Sequence, residues 1–478
     1  MTTVTSIHDE TEPHELRRHF GPVGLVSLGI GSIIGAGIFV VTGQAAADYA
    51  GPGIVVSFAI AGVGCLFAAL CYAELASMIP VAGSAYTYGY ATLGRFWGWV
   101  IGWDLVLEYL CAAATVAVGW SGYFASLMQE IGLPVPDALV SAPLMVDATG
   151  HLALSGAILN VPAIVIILVL SAALIVGVRS SATLNNLMVV VKLAIVALVI
   201  LFGLPLIKSA NLTPFIPPPG PKFGEFGWGG VLRASGVIFF AYIGFDAVSV
   251  AAQEAKNPQR DMPIGILGSL VICTVLYMLM ALTMTGLAPY WTLEVANPAS
   301  AAVQSAGPKL AWLSPFVDFG AIVGLASVIL ISLYGQSRIF YSMARDALLP
   351  KLFAAIHPQF RTPWLGTVIT CIIAGALAGA LPLSILGELV SIGTLAAFVI
   401  VCTGVLILRR THPNAKRPFR VPFSPVVPIL GILVCGLMMY WLPIDTWLRL
   451  IVWFAIGLVV WLIYGSRRTA VPRWRLDE

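Results

Sequence analysis

A lysine and three carboxylates stand in stretches where apolar residues predominate. Lys192 lies in Val189-Val-Val-Lys-Leu-Ala-Ile-Val196, about seven residues into an apolar run. That is roughly 10 Å from the run's start at about 1.5 Å per residue. Asp104 and Glu108 are four residues apart on a second run and so share a helix face. Asp246 falls in a third run, and Glu74 stands near the end of another, which it is expected to order. An ionisable side chain inside a bilayer is costly and needs a partner or a task. For Lys192 two tasks compete. Its stem can snorkel towards inner headgroups. Alternatively, because burial disfavours the charged form of an amine, it can load and unload a proton. An ion pair with Asp104, at about the same depth, is a structural third option. Glu108, nearer mid-membrane, is a second proton-carrying candidate. Asp246 can brace the backbone, sense protonation or attract a cationic group.

Other chemistries have no residues to carry them. All six histidines (His8, His14, His19, His151, His357, His412) fall in expected tails or loops. None of the seven cysteines belongs to a Cys-x-x-Cys pair, so neither a disulfide framework nor a metal site is expected. No nucleophile–base pair appears, so the expectation is a protein without enzymatic activity or cofactor, and without a nucleic-acid module.

The elements that must position these groups are membrane helices. The chain has 478 residues, 59% hydrophobic and 10% charged, with mean hydropathy +0.95; soluble proteins carry about 25% charged residues. Runs of about 20 apolar residues predict twelve spans, near 23–47, 54–79, 97–127, 158–177, 186–207, 230–252, 263–288, 312–344, 364–381, 386–408, 425–443 and 447–465. The third and eighth exceed what a bilayer needs. With the N-terminus inside, nineteen of the 25 lysines and arginines are cytoplasmic and five are outside, with Lys192 inside a span. The positive-inside bias therefore predicts that both termini are cytoplasmic. The loop 128–157 has no Lys or Arg and is expected outside, as is the stiff Pro-rich stretch 214–221; Arg410 to Arg420 forms a basic inner loop. The polar N-terminal stretch does not resemble a cleavable signal peptide.

Two spans are interrupted. Gly29-Ile-Gly-Ser-Ile-Ile-Gly-Ala-Gly-Ile-Phe39 and Phe239-Phe-Ala-Tyr-Ile-Gly-Phe-Asp246 put glycines in mid-span, roughly 200 residues apart. Such glycines can let helices pack closely. A corresponding pair of interrupted spans also points to a secondary transporter's binding site. They are spans one and six, which fits a five-plus-five inverted repeat with two added spans. The expected organisation is a tail at 1–20, repeats at 21–207 and 208–410, spans eleven and twelve at 411–465, and a tail at 466–478.

The residues also resemble a known family. Gly31 to Phe39 resembles the first span of permeases of the amino acid-polyamine-organocation superfamily. Phe239 to Asp246, continuing through Glu254-Ala-Lys-Asn-Pro-Gln-Arg-Asp-Met-Pro263, resembles span six and the following loop of its cationic amino acid transporter branch. Tyr72-Ala-Glu-Leu-Ala76, Val81-Ala-Gly-Ser-Ala-Tyr-Thr-Tyr88, Gly102-Trp-Asp-Leu-Val-Leu-Glu-Tyr109 and Arg338-Ile-Phe-Tyr-Ser-Met-Ala-Arg-Asp346 extend the likeness over about residues 15–465.

The resemblance implies an all-α integral membrane protein of LeuT-type fold, with broken helices one and six, that imports amino acids, usually with protons. A substrate carboxylate would meet N–H groups of Gly35, Ala36 and Gly37, since a helix N-terminus binds anions. Freed carbonyls of the Phe239–Ile243 break, including Phe239, Ala241 and Ile243, with Ile34, would take the ammonium. Phe240 matches an aromatic that closes over substrate, or is plain core. Ser332 matches a position facing the substrate side chain, or is a serine bonded to its own helix. In several proton-coupled relatives a lysine at the position of Lys192 replaces a bridging cation.

The expectation is import of amino acids across the cell membrane, coupled to protons, with cationic substrates preferred. A carrier of small neutral amino acids and an amino acid or amine exchanger are the alternatives. A channel is disfavoured by the interrupted spans, and a receptor by the short tails. Nothing in the sequence specifies a small membrane-protein partner.

Overall fold

The computed structural model describes residues 21–78, 86, 89–90, 93–146, 152–177, 182–245, 248 and 255–467. They are almost entirely helical. Seven runs are long and apolar enough to cross a bilayer: Gly37–Met78, Arg95–Glu130, Leu187–Leu206, Pro258–Leu287, Ala311–Arg345, Leu383–Thr411 and Ile444–Ile463. Four apolar helices are shorter: Pro22–Ile33, Val161–Val176, Trp364–Ala380 and Val426–Tyr440.

In chain order the helices are α1 Pro22–Ile33, α2 Thr42–Ala45, α3 Ile54–Met78, α4 Arg95–Glu130, α5 Val161–Val176, α6 Ala182–Gly203 and α7 Gly227–Ile238. They continue with α8 Pro258–Leu287, α9 Pro298–Ser305, α10 Ser314–Arg345, α11 Trp364–Ala380, α12 Leu383–Thr411, α13 Val426–Tyr440 and α14 Ile444–Ile463. α2 is the α-helical middle of the stretch 37–50, whose flanks Gly37–Val41 and Ala46–Ala50 are π-helical. The connection between α4 and α5 holds one small addition that the composition did not signal: β1 Leu144–Val146 pairs antiparallel with β2 Leu152–Leu154.

The ends of these helices follow from local chemistry. α1 starts on Pro22, whose missing N–H costs nothing at a helix start. α5 is capped by Asn160, whose side chain accepts from Ala163 N at 3.3 Å, and it ends on left-handed Gly177. α8 begins five residues before the expected span, because Pro258-Gln-Arg-Asp is a good first turn and Asp261 accepts the Asn257 N–H at 3.2 Å. α12 runs past its apolar core to Arg409 and Arg410, cations that suit a helix C-terminus.

The long helices α4 and α10 pack along each other, and α12 lies against α4. α3 and α1 both pack on α8, while α6 lies against α10. All seven cysteines are free and buried.

Glu74 ties one end of this bundle together. It is fully buried and pairs with Arg409, while Arg417 Nε lies 3.3 Å from its other oxygen. The Val421 N–H donates to it at 2.7 Å, and the Phe419 N–H donates to Ser77 Oγ at 3.3 Å. One carboxylate on α3 thus pins the end of α12 and the loop that follows. Glu74→Ala strands two cations and an amide, and truncating one partner of a buried pair costs about 3–5 kcal/mol. The thermal midpoint of Glu74→Ala in detergent should drop by many degrees, whereas Asp137→Ala, at an exposed acid, should leave it unchanged.

Candidate functional site

Both glycine-bearing stretches are breaks. α1 ends at Ile33, Ile34 is extended at φ −72° and ψ 105°, and helix resumes at Gly37. α7 ends at Ile238, tightens into a 3-10 turn over Phe239–Tyr242, and turns out through Ile243 and Gly244. The two breaks press on each other. A Cβ on Gly37 would fall 2.3 Å from Ala241 Cβ, and one on Gly244 would fall 2.7 Å from Ser32 O. Gly244 also has φ +112°, a conformation that L side chains avoid. Close packing and broken backbone are therefore both served by the same glycines.

A break inside a membrane frees backbone groups that must find partners. The carbonyls at the end of α1 find them in side chains from other helices. Lys192 on α6 is fully buried, and its Nζ donates to Gly31 O, to Ile34 O at 2.9 Å and to Ser327 Oγ on α10 at 3.3 Å. Its stem passes over Gly324, where a Cβ would sit 3.4 Å from Lys192 Cβ. It points into the protein, not towards headgroups. The Tyr277 hydroxyl on α8 lies 2.8 Å from Ile33 O and 2.7 Å from Ala241 O, so one O–H serves both breaks. Ser391 on α12 repairs the second break: its Oγ accepts the Phe240 N–H at 3.2 Å and donates to Val237 O at 3.0 Å.

Between the breaks lies a cavity of about 40 Å³. Its wall includes Gly35, Ala36 and Gly37 from the first break, Phe240 and Ile243 from the second, Glu108 from α4 and Ser332 from α10. Ala112, Val116, Val328 and Ile331 make the rest of it largely aliphatic. The leading N–H groups of a helix have no partner within it, and here that end of the 37–50 segment faces the cavity.

Other expected residues lie beside the cavity without lining it. The Ile34 carbonyl is taken by Lys192 and the Ala241 carbonyl by Tyr277. Phe239 is fully buried and packs edge-on to Phe398, with ring centroids 5.4 Å apart. Asp246 lies outside the described residues. The optional Asp104–Lys192 ion pair is absent. Lys192 is satisfied by carbonyls, while both Asp104 oxygens are buried without a hydrogen-bond partner, close to Gly393 on α12.

Tyr277, Ser391 and Ser327 were not legible as site residues. Each sits in an apolar run where a tyrosine or serine reads as core, and only the partner helix reveals the carbonyl or amide it meets. Tyr277→Phe keeps the ring contacts to Phe58 and Tyr242, at 5.3 and 5.5 Å, but removes the donor shared by two breaks. Leaving a buried acceptor unsatisfied costs about 1–3 kcal/mol. Thermal unfolding of the purified variant should show that loss as a lowered midpoint.

Comparison with known proteins finds relatives over nearly the whole chain. The family profile described as amino acid permease matches residues 20–465. The chain is 45% identical over 464 residues to a methylthioribose transporter of Bacillus subtilis (strain 168), covering 97% of each chain. It is 43% identical over 455 residues to a branched-chain amino acid permease of the same organism, covering 95% of this chain and 94% of that one. It is 38% identical over 414 residues to the vacuolar cationic amino acid transporter 4 of Arabidopsis thaliana, covering 86% and 67%. A profile match over nearly the whole chain, on a multi-helix membrane protein with a cavity between two broken helices, places this chain in the amino acid permease family.

Proposed function

We propose that the chain crosses the cytoplasmic membrane twelve times, as a LeuT-type five-plus-five repeat (21–207 and 208–410) followed by two further spans (411–465), with both termini cytoplasmic. It imports α-amino acids together with protons. The substrate carboxylate meets the N–H groups at Gly35, Ala36 and Gly37. Its ammonium meets the Phe240 carbonyl, which gives one lone pair to the Ile243 N–H at 3.2 Å and retains a second.

The observation that carries proton coupling is the setting of Lys192. Its three acceptors, on α1 and α10, match the three donors of an ammonium. A neutral amine has one donor fewer and lacks the charge that strengthens such bonds. In this reading the protonated lysine clamps α1 to α6 and α10, and deprotonation towards the cytoplasm frees α1 and releases substrate. Lys192→Met keeps most of the apolar stem and removes the proton site. Liposomes with an acidic exterior should concentrate substrate through the native protein, and Lys192→Met should equilibrate it only. Undiminished accumulation by Lys192→Met would move coupling elsewhere, with Glu108 the next candidate.

The wall around Ser332 favours an aliphatic substrate side chain, because Val116, Val328 and Ile331 offer dispersion contacts and no charge. The branched-chain permease among the relatives supports this reading. The second reading, a cationic substrate, rests on Glu108, the one acidic residue among the described residues of the wall, and on the cationic transporters among the relatives. Competition uptake separates them: leucine or valine should outcompete arginine, and Ser332→Met should weaken leucine several-fold more than alanine. Arginine ahead of leucine would establish the cationic reading.

A further inference from the structure

A groove of about 750 Å³ lies away from the cavity, between the first turns of α8 and the loop that follows α12. One wall carries Arg260, Ile264, Leu267 and Gly268; the other carries Pro418 and Phe419. Three features make it more than an uncovered apolar face. Its second wall is held in place, because Glu74 and Ser77 bind the backbone at Val421 and Phe419. Its cation is available, since Arg260 is exposed and makes no ion pair among the described residues. The acid of the same helix turn, Asp261, is buried and accepts the Asn257 N–H. Its polarity is graded as well: Leu267 lies about 10 Å along α8 from Arg260, at 1.5 Å per residue. Arg260 is exposed, whereas Leu267, Gly268 and Phe419 are half-buried. Exposed Lys416 and Arg420 flank the Phe419 wall and add to the positive rim.

We propose that this groove binds an anionic phospholipid, with the phosphate on Arg260 and an acyl chain between Leu267 and Phe419. Basic pockets between membrane helices suit such headgroups. The floor of the groove gives the lipid a consequence. Gly268 packs against Val26 of α1, where a Cβ would come 3.0 Å from Val26 Cγ2. The bound chain therefore borders the inner half-helix that Lys192 holds, and its occupancy stabilises that half-helix in its seat on α8.

The test uses the full-length protein in phosphatidylcholine nanodiscs doped with a phosphatidylglycerol that carries a photoreactive acyl chain. It reads labelling directly and does not depend on transport. Labelling should map to peptides within 258–268 and 412–425. It should fall to the level of a photoreactive phosphatidylcholine in Arg260→Gln and in Leu267→Trp, which fills the groove. Lys351→Gln, which removes an exposed cation outside the groove, should label as the native protein does. Unlabelled phosphatidylglycerol should compete, and soluble glycerophosphate should not. Labelling elsewhere, equal labelling in Arg260→Gln, or competition by glycerophosphate would overturn the proposal.

Discussion

The structure depends on one constraint: no backbone polar group can be left bare in a bilayer. Breaking α1 at Ile34 and α7 at Phe239 frees carbonyls and amides in mid-protein. An unbroken helix would have satisfied them itself. The protein meets the debt with side chains from three other helices: Lys192 from α6, Tyr277 from α8 and Ser391 from α12. Those helices must then stand in register with the breaks, and the packing of the bundle follows from that requirement.

The partners that hold the breaks are of two kinds. Tyr277 and Ser391 are neutral and bind whatever the pH near neutrality. Lys192 differs, because its donors depend on a proton. The α1 break is thus held by one fixed hydroxyl and one conditional ammonium. In the proposed coupling Lys192 is the partner that changes, and the carbonyls it holds, at Gly31 and Ile34, lie next to the cavity wall at Gly35, Ala36 and Gly37.

The end of the bundle that carries Glu74 shows a different solution. Glu74 concentrates two arginines and an amide on one carboxylate. It holds α3 to α12 and fixes the loop after α12 as a rigid wall. α1, which packs on α8 and is held through Lys192, has no comparable charged anchor at its N-terminal end among the described residues. The two helices are thus anchored by different chemistry, α3 through a buried carboxylate with two arginines and α1 through hydrogen bonds from Lys192 and Tyr277.

Much of this was legible in the sequence. Composition alone required a membrane protein. Glycines in mid-span marked the breaks, and at Gly37 and Gly244 the reason is close approach: a Cβ would fall 2.3 Å from Ala241 Cβ or 2.7 Å from Ser32 O, and Gly244 also has a positive φ. A lysine in the middle of an apolar run had to have a partner. Helical spacing also says which residues share a face, which is why Asp104 and Glu108 could be paired. It does not say which neighbour that face meets. So only the tertiary structure decided that Asp104 turns to α12 and away from Lys192, and that Phe239 packs on Phe398 while Phe240 lines the cavity. It alone showed that a tyrosine on α8 closes both breaks. Periodicity is a property of one helix, whereas a site between helices is set by how several of them are rotated against one another.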